Sequence, residues 1–475
     1  MAKLTGFAAT RIPGPEGLPF VGLQINALRL LVDPIRRLTA MRRAHGDLVA
    51  VARGNPAVVC AFGAALNRDV LGNSKVFETD DAFFVPFPEG TSPRRVLSGL
   101  PFQKGERARK TRRLMMPAFQ KSALDGYADD IVSVAARALD RWPVGETVDM
   151  APLLRELVQH VAVRCVFGLA SEDGTQGLGA AVTEMVDLVA SPLTLAMPAR
   201  VSGTPYARVF AVCDEIEARL VALFEEKRRG SPGRDALSLM LRARDEDGSS
   251  LSDDELIGGA ASLFVAGHDT QARALTWTLF LLEQHPEVLG AFLEEIHGAL
   301  RGAAPTPEKV PEMPLLDRVI KESMRLLGPV PTLFLRVCQE PASLGGHELP
   351  RLANVLLSPH VTHHDPAIYR DPRRFMPSRW ERAAPTIYEY LPFGAGPRLC
   401  IGAGFATLAL RLMLPMILQR YRLSLAPRAR VSFHVRANLL GPRHGMPMQI
   451  VPQDRSVRRP EPVRGDIVEL VELSR

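Results

Sequence analysis

From about Gly105 to Leu300, apolar residues recur at helical spacing with few interruptions. Before that stretch, two β-like runs, Leu48–Arg53 and Ala57–Phe62, flank Gly54-Asn55-Pro56, which reads as a hairpin turn. After Pro329 the pattern turns mixed, with β-like runs at Leu333–Val337 and Ala353–Leu357, then Val431–Val435 and Met448–Val451 near the end. Asp81–Lys104, rich in Pro, Gly and Phe, and Ser191–Pro205, with its prolines, read as loops over a core. The chain from Gln453 is charged and reads as a peripheral tail. The best-marked helix runs from Asp253 to about Gln284. Ser252 and Glu255 predict a capping box at its start, Leu251 a hydrophobic staple, and His285-Pro286 its stop. At about 1.5 Å per residue it exceeds about 45 Å and crosses a whole domain. It is apolar nearly all round, which predicts burial. Its middle, Ala266-Gly267-His268-Asp269-Thr270, puts a carboxyl, a hydroxyl and a helix-weakening Gly in that setting, a local conflict of the kind that marks function.

The chain has 475 residues, and length alone suggests about three domains. A helical body with a small β portion drawn from both chain ends argues instead for one domain over residues 1–475, with a short tail at 1–10. The fold class is mainly α with a small β region. Hydrophobic residues at 46% exclude disorder, and a net charge of +6 suits an acidic protein partner without indicating nucleic acid. The five cysteines, Cys60, Cys165, Cys213, Cys338 and Cys400, lack C-x-x-C spacing, which excludes a disulfide scaffold and zinc-finger patterns. No stretch is long and apolar enough for a span of about 20 residues, and MAKLTGFAAT lacks the core of a signal peptide. The chain reads as soluble and cytoplasmic.

One segment concentrates chemistry: Phe393-Gly394-Ala395-Gly396-Pro397-Arg398-Leu399-Cys400-Ile401-Gly402. The glycines and Pro397 force a tight loop. Cys400 follows where an apolar helix, Gly402 to about Gln419, begins, and a helix N-terminus favours thiolate. Arg398 offers a cation to an anionic ligand, and Phe393 can pack beside the loop. The other four cysteines read as core filler.

This segment resembles F-x-x-G-x-R-x-C-x-G, the haem-binding loop of the cytochrome P450 superfamily, at every fixed position. Glu322-Ser323-Met324-Arg325 resembles the E-x-x-R of the family's K helix. Phe375-Met376-Pro377-Ser378-Arg379-Trp380 resembles its F-x-P-E-R-F/W segment with Ser for Glu. Ala266–Thr270 resembles the A-G-x-[DE]-T of its long I helix. The Pro/Gly-rich Arg11–Gly22 is similar to the hinge that follows a membrane anchor in some members; only ten residues precede it here, as in a naturally soluble bacterial protein or after removal of an anchor.

The resemblance implies the cytochrome P450 fold, with the long helix over haem b, and Cys400 as the iron ligand. It implies Arg398, Arg336 and Arg112 as propionate partners, and Phe393, Gly267 and Gly402 beside the cofactor. Ala108 stands where the family carries Trp or His, with Arg109 as a substitute contact. Glu322, Arg325 and Arg379 would form a structural ion network. Asp269 and Thr270 would be the acid–alcohol pair of oxygen activation, with His268 packed or solvent-facing. The implied substrate pocket takes in the Phe83–Phe102 loop, Leu188–Met197, Phe264, Val265, Ala266, Thr332, Leu333, Phe334 and Gly445-Met446. That lining suits a hydrophobic small molecule: a fatty acid, terpenoid, steroid or polyketide.

The expected reaction is a monooxygenation. Desaturation, oxidative coupling, peroxygenation and a non-catalytic haem sensor are the alternatives. No G-x-G-x-x-G opens a βαβ unit and no cysteines cluster, so electrons come from a separate ferredoxin with its reductase, or from flavodoxin. Arg107, Arg109, Lys110, Arg112 and Arg113 form the expected docking face of a monomer. His360, His363, His364 and Asp365 resemble the family's S-P-Y-x-x-H-R-D-P loop rather than a metal site. Pro415 predicts a kink or break in the last helix.

Overall fold

The structure is a computed structural model and describes residues 7, 10–17, 22–79, 85, 87–170, 175–191, 193–194, 197–460 and 462–473. Among these, helices α1 (Gly22–Val32), α2 (Pro34–His45), α3 (Ala64–Gly72), α4 (Ser92–Val96) and α5 (Gly105–Met115) precede a run of longer ones. These are α6 (Lys121–Leu139), α7 (Met150–Ala162), α8 (Ala180–Val189), α9 (Pro205–Arg229), α10 (Ala236–Arg242) and α11 (Asp253–Glu283). Then come α12 (Pro286–Leu300), α13 (Pro314–Leu326), α14 (Pro359–His363) and α15 (Ala403–Arg420). A five-stranded sheet is ordered β1 (Leu48–Ala52), β2 (Asn55–Ala61), β8 (Asn354–Leu357), β5 (Arg336–Cys338), β3 (Phe77–Thr79). Hairpins β6 (Ala342–Leu344)–β7 (His347–Leu349) and β10 (Phe433–Arg436)–β11 (Leu439–Pro442) stand apart, and β12 (Pro447–Pro452) pairs with β4 (Thr147–Asp149) and β9 (Tyr421–Leu425).

The central helix forms as its ends predict. The Ser252 hydroxyl accepts from the Glu255 N–H at 3.3 Å, and the Glu255 carboxylate accepts from the Ser252 N–H at 3.0 Å. Leu251 is buried beside it. Beyond Arg273 it is enclosed on all sides, with Trp277 and Phe280 in the largest core cluster. The first hairpin turns at Gly54, whose φ of +73° suits glycine, and β1 and β2 pair antiparallel from Leu48 opposite Ala61.

Three expectations are corrected. The segment 81–104 is not all loop: Pro93 at the first turn seeds α4, five residues long. Helix α15 runs unbroken through Pro415, which is buried in the core, so packing outweighs the lost N–H. The end of the chain is not peripheral. Ile467, Leu470 and Val471 are buried in the main core, Arg36 pairs with Asp466 at 2.8 Å, and the Glu472 N–H donates to Arg373 O at 2.9 Å.

His360, His363 and His364 lie beneath this clamp. The His360 and His364 rings stand 4.1 Å apart, and His363 Nε2 accepts from the Leu391 N–H at 2.8 Å. Burial, the neighbouring rings and Arg325 push all three well down, His364 to about 4. Above about pH 6.5, the ordinary histidine value, both folded and unfolded chains hold these rings neutral. Below it the unfolded chain binds protons that the native one refuses, so stability falls as pH drops towards the depressed values. Unfolding free energies from urea titrations should therefore decline between pH 7 and 5, by up to about 1.4 kcal/mol per pH unit for each refusing ring. His364→Gln should flatten the slope, and an equal slope in that variant would contradict this account.

Candidate active site

The loop at 393–402 is built around close approaches. Gly394 and Gly396 have φ of +73° and +71°, and a Cβ on Gly396 would lie 2.1 Å from Leu71 O. The Cys400 N–H donates to Phe393 O at 2.9 Å, which closes the loop, and Gly402 caps α15. Cys400 is the one exposed cysteine of the five. Burial pushes the other thiols up, Cys338 to about 11 and Cys60 and Cys213 to about 12. Cys400 is accessible yet surrounded by protein, so its surroundings still raise it, while the Gly402 N–H and Arg112 pull it back.

Three guanidinium groups converge on this loop. Arg398 donates to Glu78 at 2.6 Å and to Gln103 O at 2.7 Å. Arg336 is buried, and its side chain donates to Phe334 O at 2.9 Å. Burial and neighbouring Arg398 bring it down to about 10. Arg112 is half-buried within electrostatic reach of Cys400 and Arg398, and burial lowers it too. Burial raises the Glu78 carboxyl, but Arg398 and two backbone N–H groups outweigh it and hold it low. Ala108 is buried and leaves only a methyl where the family has a ring. Arg109 does not substitute for it: its guanidinium turns outward to Glu106 at 2.9 Å. Nothing in the pattern around Glu78, in a three-residue strand, announced its place here.

The central helix contributes an open face. Beyond its exposed first turn, and with Val265 half-buried at the margin, Ser262, Leu263, Ala266, Gly267, Asp269, Thr270 and Arg273 are accessible, Ala266 the most exposed of them. At 100° per residue these fall on one side. Phe264 and His268 lie on the opposite side. Phe264 is fully buried, stacked 5.5 Å from Phe167, and His268 Nδ1 is 2.8 Å from Phe264 O. Phe264 is therefore core rather than pocket, and so is Met446, at 0% exposure. A helix apolar all round gives no azimuth from which to see this. Val265 and Leu333 are half-buried. Phe334 is 53% exposed and meets Phe102 edge-on at 6.1 Å. Thr332 is buried and locked to Asn438 on the turn of the β10–β11 hairpin at 2.5 Å. Leu188 lines a surface cleft of about 660 Å³, crossed by the Arg436–Asp187 pair, that includes none of the thiol-loop residues. Residue 83 lies outside the described residues.

A Cβ on Gly267 would meet no atom within 4 Å. Thr270 donates its hydroxyl to Ala266 O at 2.7 Å. Asp269 sits at the flank in ion-pair contact with Arg155 of α7 at 2.8 Å, without an aligned hydrogen bond. The acid and alcohol are thus neighbours that engage different partners.

Behind the loop, Glu322 accepts from Arg325 Nε and Nη2 at 2.9 and 2.8 Å, from Arg379 Nε at 2.9 Å and from Trp380 Nε1 at 2.9 Å. Glu322 and Arg325 are wholly buried. The expected trio meets, and Trp380 joins it. The expected docking face is less open than its sequence suggests: Arg113 pairs with Asp245 at 2.9 Å and Arg107 lies 3.9 Å from Glu255.

A helical fold carrying an accessible cysteine in a glycine-tight loop, opposed by buried cations, defines a haem-thiolate protein. The chain belongs to the cytochrome P450 family, which it matches over residues 12–443, and is a monooxygenase of that family. It is 30% identical to cyclooctatin synthase of Streptomyces melanosporofaciens over 455 residues, 93% of this chain and 95% of that protein. It is 31% identical to cyclooctat-9-en-7-ol 5-monooxygenase of the same organism, over 87% of this chain and 89% of the other. Pentalenene oxygenase of Streptomyces avermitilis is 29% identical over 93% and 97%. In fold it resembles a cyanobacterial cytochrome P450 solved with retinoic acid (TM-score 0.80, 24% identity, 94% of this chain and all of that one). The haem domain of cytochrome P450DA is similar (TM-score 0.82, 23% identity, 95% and 100%). No helix among the described residues is long and apolar enough to cross a membrane.

The residues present fit haem. Arg398 and Arg336 have the Glu78 carboxylate beside them, Arg112 has Arg398 and Cys400, and an anionic group with two carboxylates suits this cluster of three guanidinium groups.

Proposed function

We propose that the protein oxygenates a cyclic terpenoid. What supports this is the open stretch of α11, which offers Leu263, Ala266 and Gly267, and the accessible Cys400, together with relatives named for cyclooctatin and pentalenene chemistry. Haem, when bound, supplies oxygen activation at iron. Cys400 would hold the metal as thiolate, whose electron donation favours O–O cleavage. Arg336, Arg398 and Arg112 would bind the carboxylates and orient the ring. Gly267 leaves space that any side chain would fill. Ala266, Val265, Leu333 and Phe334 offer apolar contact and exclude water. Thr270 would hold a proton at its hydroxyl for the reacting oxygen, and Asp269, released from Arg155, would replenish it. Electrons would come from a separate acidic donor, a ferredoxin with its reductase or a flavodoxin, docking beside the exposed Arg109 and the half-buried Lys110.

The test is turnover of a panel of cyclic terpenes by the haem-loaded protein with ferredoxin, its reductase and NADPH. Soret shift and oxygenated product should select such substrates over fatty acids and steroids, and the opposite order would reject the substrate class. Thr270→Ala should retain haem and keep consuming NADPH, but release hydrogen peroxide and lose about tenfold or more of product per NADPH. Asp269→Asn should instead slow NADPH consumption itself. Full coupling in Thr270→Ala would remove Thr270 from the proton path.

A further inference from the structure

The segment from Phe87 to Gly99 is strapped down on two sides by different means. Along α9, Tyr206, Phe210, Asp214 and Glu217 recur three or four residues apart and so share one stripe. Phe87 stacks on Tyr206 at 5.5 Å and meets Phe210 edge-on at 6.0 Å. Ser92 donates to Asp214 at 2.5 Å, and Arg95 forks onto Glu217 at 2.8–3.1 Å. The other side lies on the α11 stripe Asp254, Gly258, Ser262. Here glycines make the contact. A Cβ on Gly99 would lie 2.3 Å from Ser262, and one on Gly258 would lie 2.6 Å from Ser98 Oγ. That same stripe continues to Ala266 and Thr270, so the strap closes one end of the open face. Beyond Gly99, the carbonyls of Leu100 and Gln103 receive Arg398 of the thiol loop.

The two attachments differ in how they can part. The α11 side is close-fitted packing that neither salt nor water can replace. The α9 side depends on charge-assisted bonds between Arg95 and Glu217, which are 26% and 22% exposed, and water and ions compete for those. We propose that Ser92–Asp214 and Arg95–Glu217 form a polar latch that sets how fast bulky apolar molecules pass between α9 and the strap. The stack of Phe87 on Tyr206 and Phe210 stays as the pivot. The inference rests on the haem-loaded site proposed above, because bound haem reports arrival.

The experiment uses 4-phenylimidazole as a bulky haem ligand and carbon monoxide as a small one, followed by stopped flow and flash photolysis. Arg95→Met and Glu217→Gln should each raise both association and dissociation rates of 4-phenylimidazole about fivefold to tenfold, leaving Kd within about twofold. Carbon monoxide rebinding should not change. Raising salt from about 0.05 to 1 M should speed the wild type and leave Arg95→Met where it is. Arg95→Lys, which keeps the charge but loses the fork, should fall between. Arg95 also lies 3.8 Å from Asp254, so Asp254→Asn serves as the control and should keep wild-type rates. Wild-type phenylimidazole rates in both latch variants would overturn the proposal, as would an equal acceleration of carbon monoxide, the mark of general loosening. A wild-type protein that shows no Soret band after haem loading would instead overturn the haem site, and the latch with it.

Discussion

Reduced under carbon monoxide, the haem-loaded protein should give the red-shifted Soret band of thiolate ligation, and Cys400→Ala should abolish it. The expectation follows from access and from acidity together. A ligand sulfur must reach the metal and must lose its proton, and burial opposes both in Cys60, Cys165, Cys213 and Cys338. Cys400 alone is accessible; its surroundings raise it too, but the Gly402 N–H and Arg112 both favour its anion. Metal binding then completes the deprotonation. The variant should still fold, because the loop is shaped by Gly394, Gly396 and backbone bonds rather than by the sulfur. A retained thiolate band in Cys400→Ala, lost in Cys338→Ala, would refute the assignment.

Removing the Glu322 charge should be strongly destabilising. Its two oxygens receive two guanidiniums, the Trp380 indole and the Met376 N–H at 3.0 Å. With Glu322→Gln, Arg325 stays at 0% exposure with carbonyls alone around it: those of His363 at 2.8 Å, Pro372 at 2.7 Å and Arg374 at 3.2 Å. A stranded buried charge costs about 3–5 kcal/mol. The chain should accumulate as apoprotein, with a urea midpoint far below wild type. Because Arg325 also holds the 363–374 segment by its carbonyls, Arg325→Met should fail similarly. A Glu322→Gln protein with full haem and an unshifted midpoint would show that the network does not carry the fold.

What could be read from the sequence was whatever is written locally. The capping box of α11 involves residues three apart, and the thiol loop is set by its own glycines. The β1–β2 hairpin turns on adjacent residues. What could not be read depends on distant partners. Helix α4 is too short to show a period, and strands of three residues, such as β3 with Glu78, look like loop. Phe264 and Ala266 are both apolar, and only the neighbours packed against α11 decide which one faces the opening. Arg155 became a partner of Asp269 through the crossing of α7 and α11, which no spacing records.

The family likeness stops at residue 443, yet Ile467 and Val471, at 0% exposure, complete the core beyond it. The folded body therefore extends past the matched segment, and trimming the chain at residue 443 would cut through its interior. Anyone attaching a tag or a reductase should note that Glu472, the second-last described residue, is still hydrogen-bonded into the body.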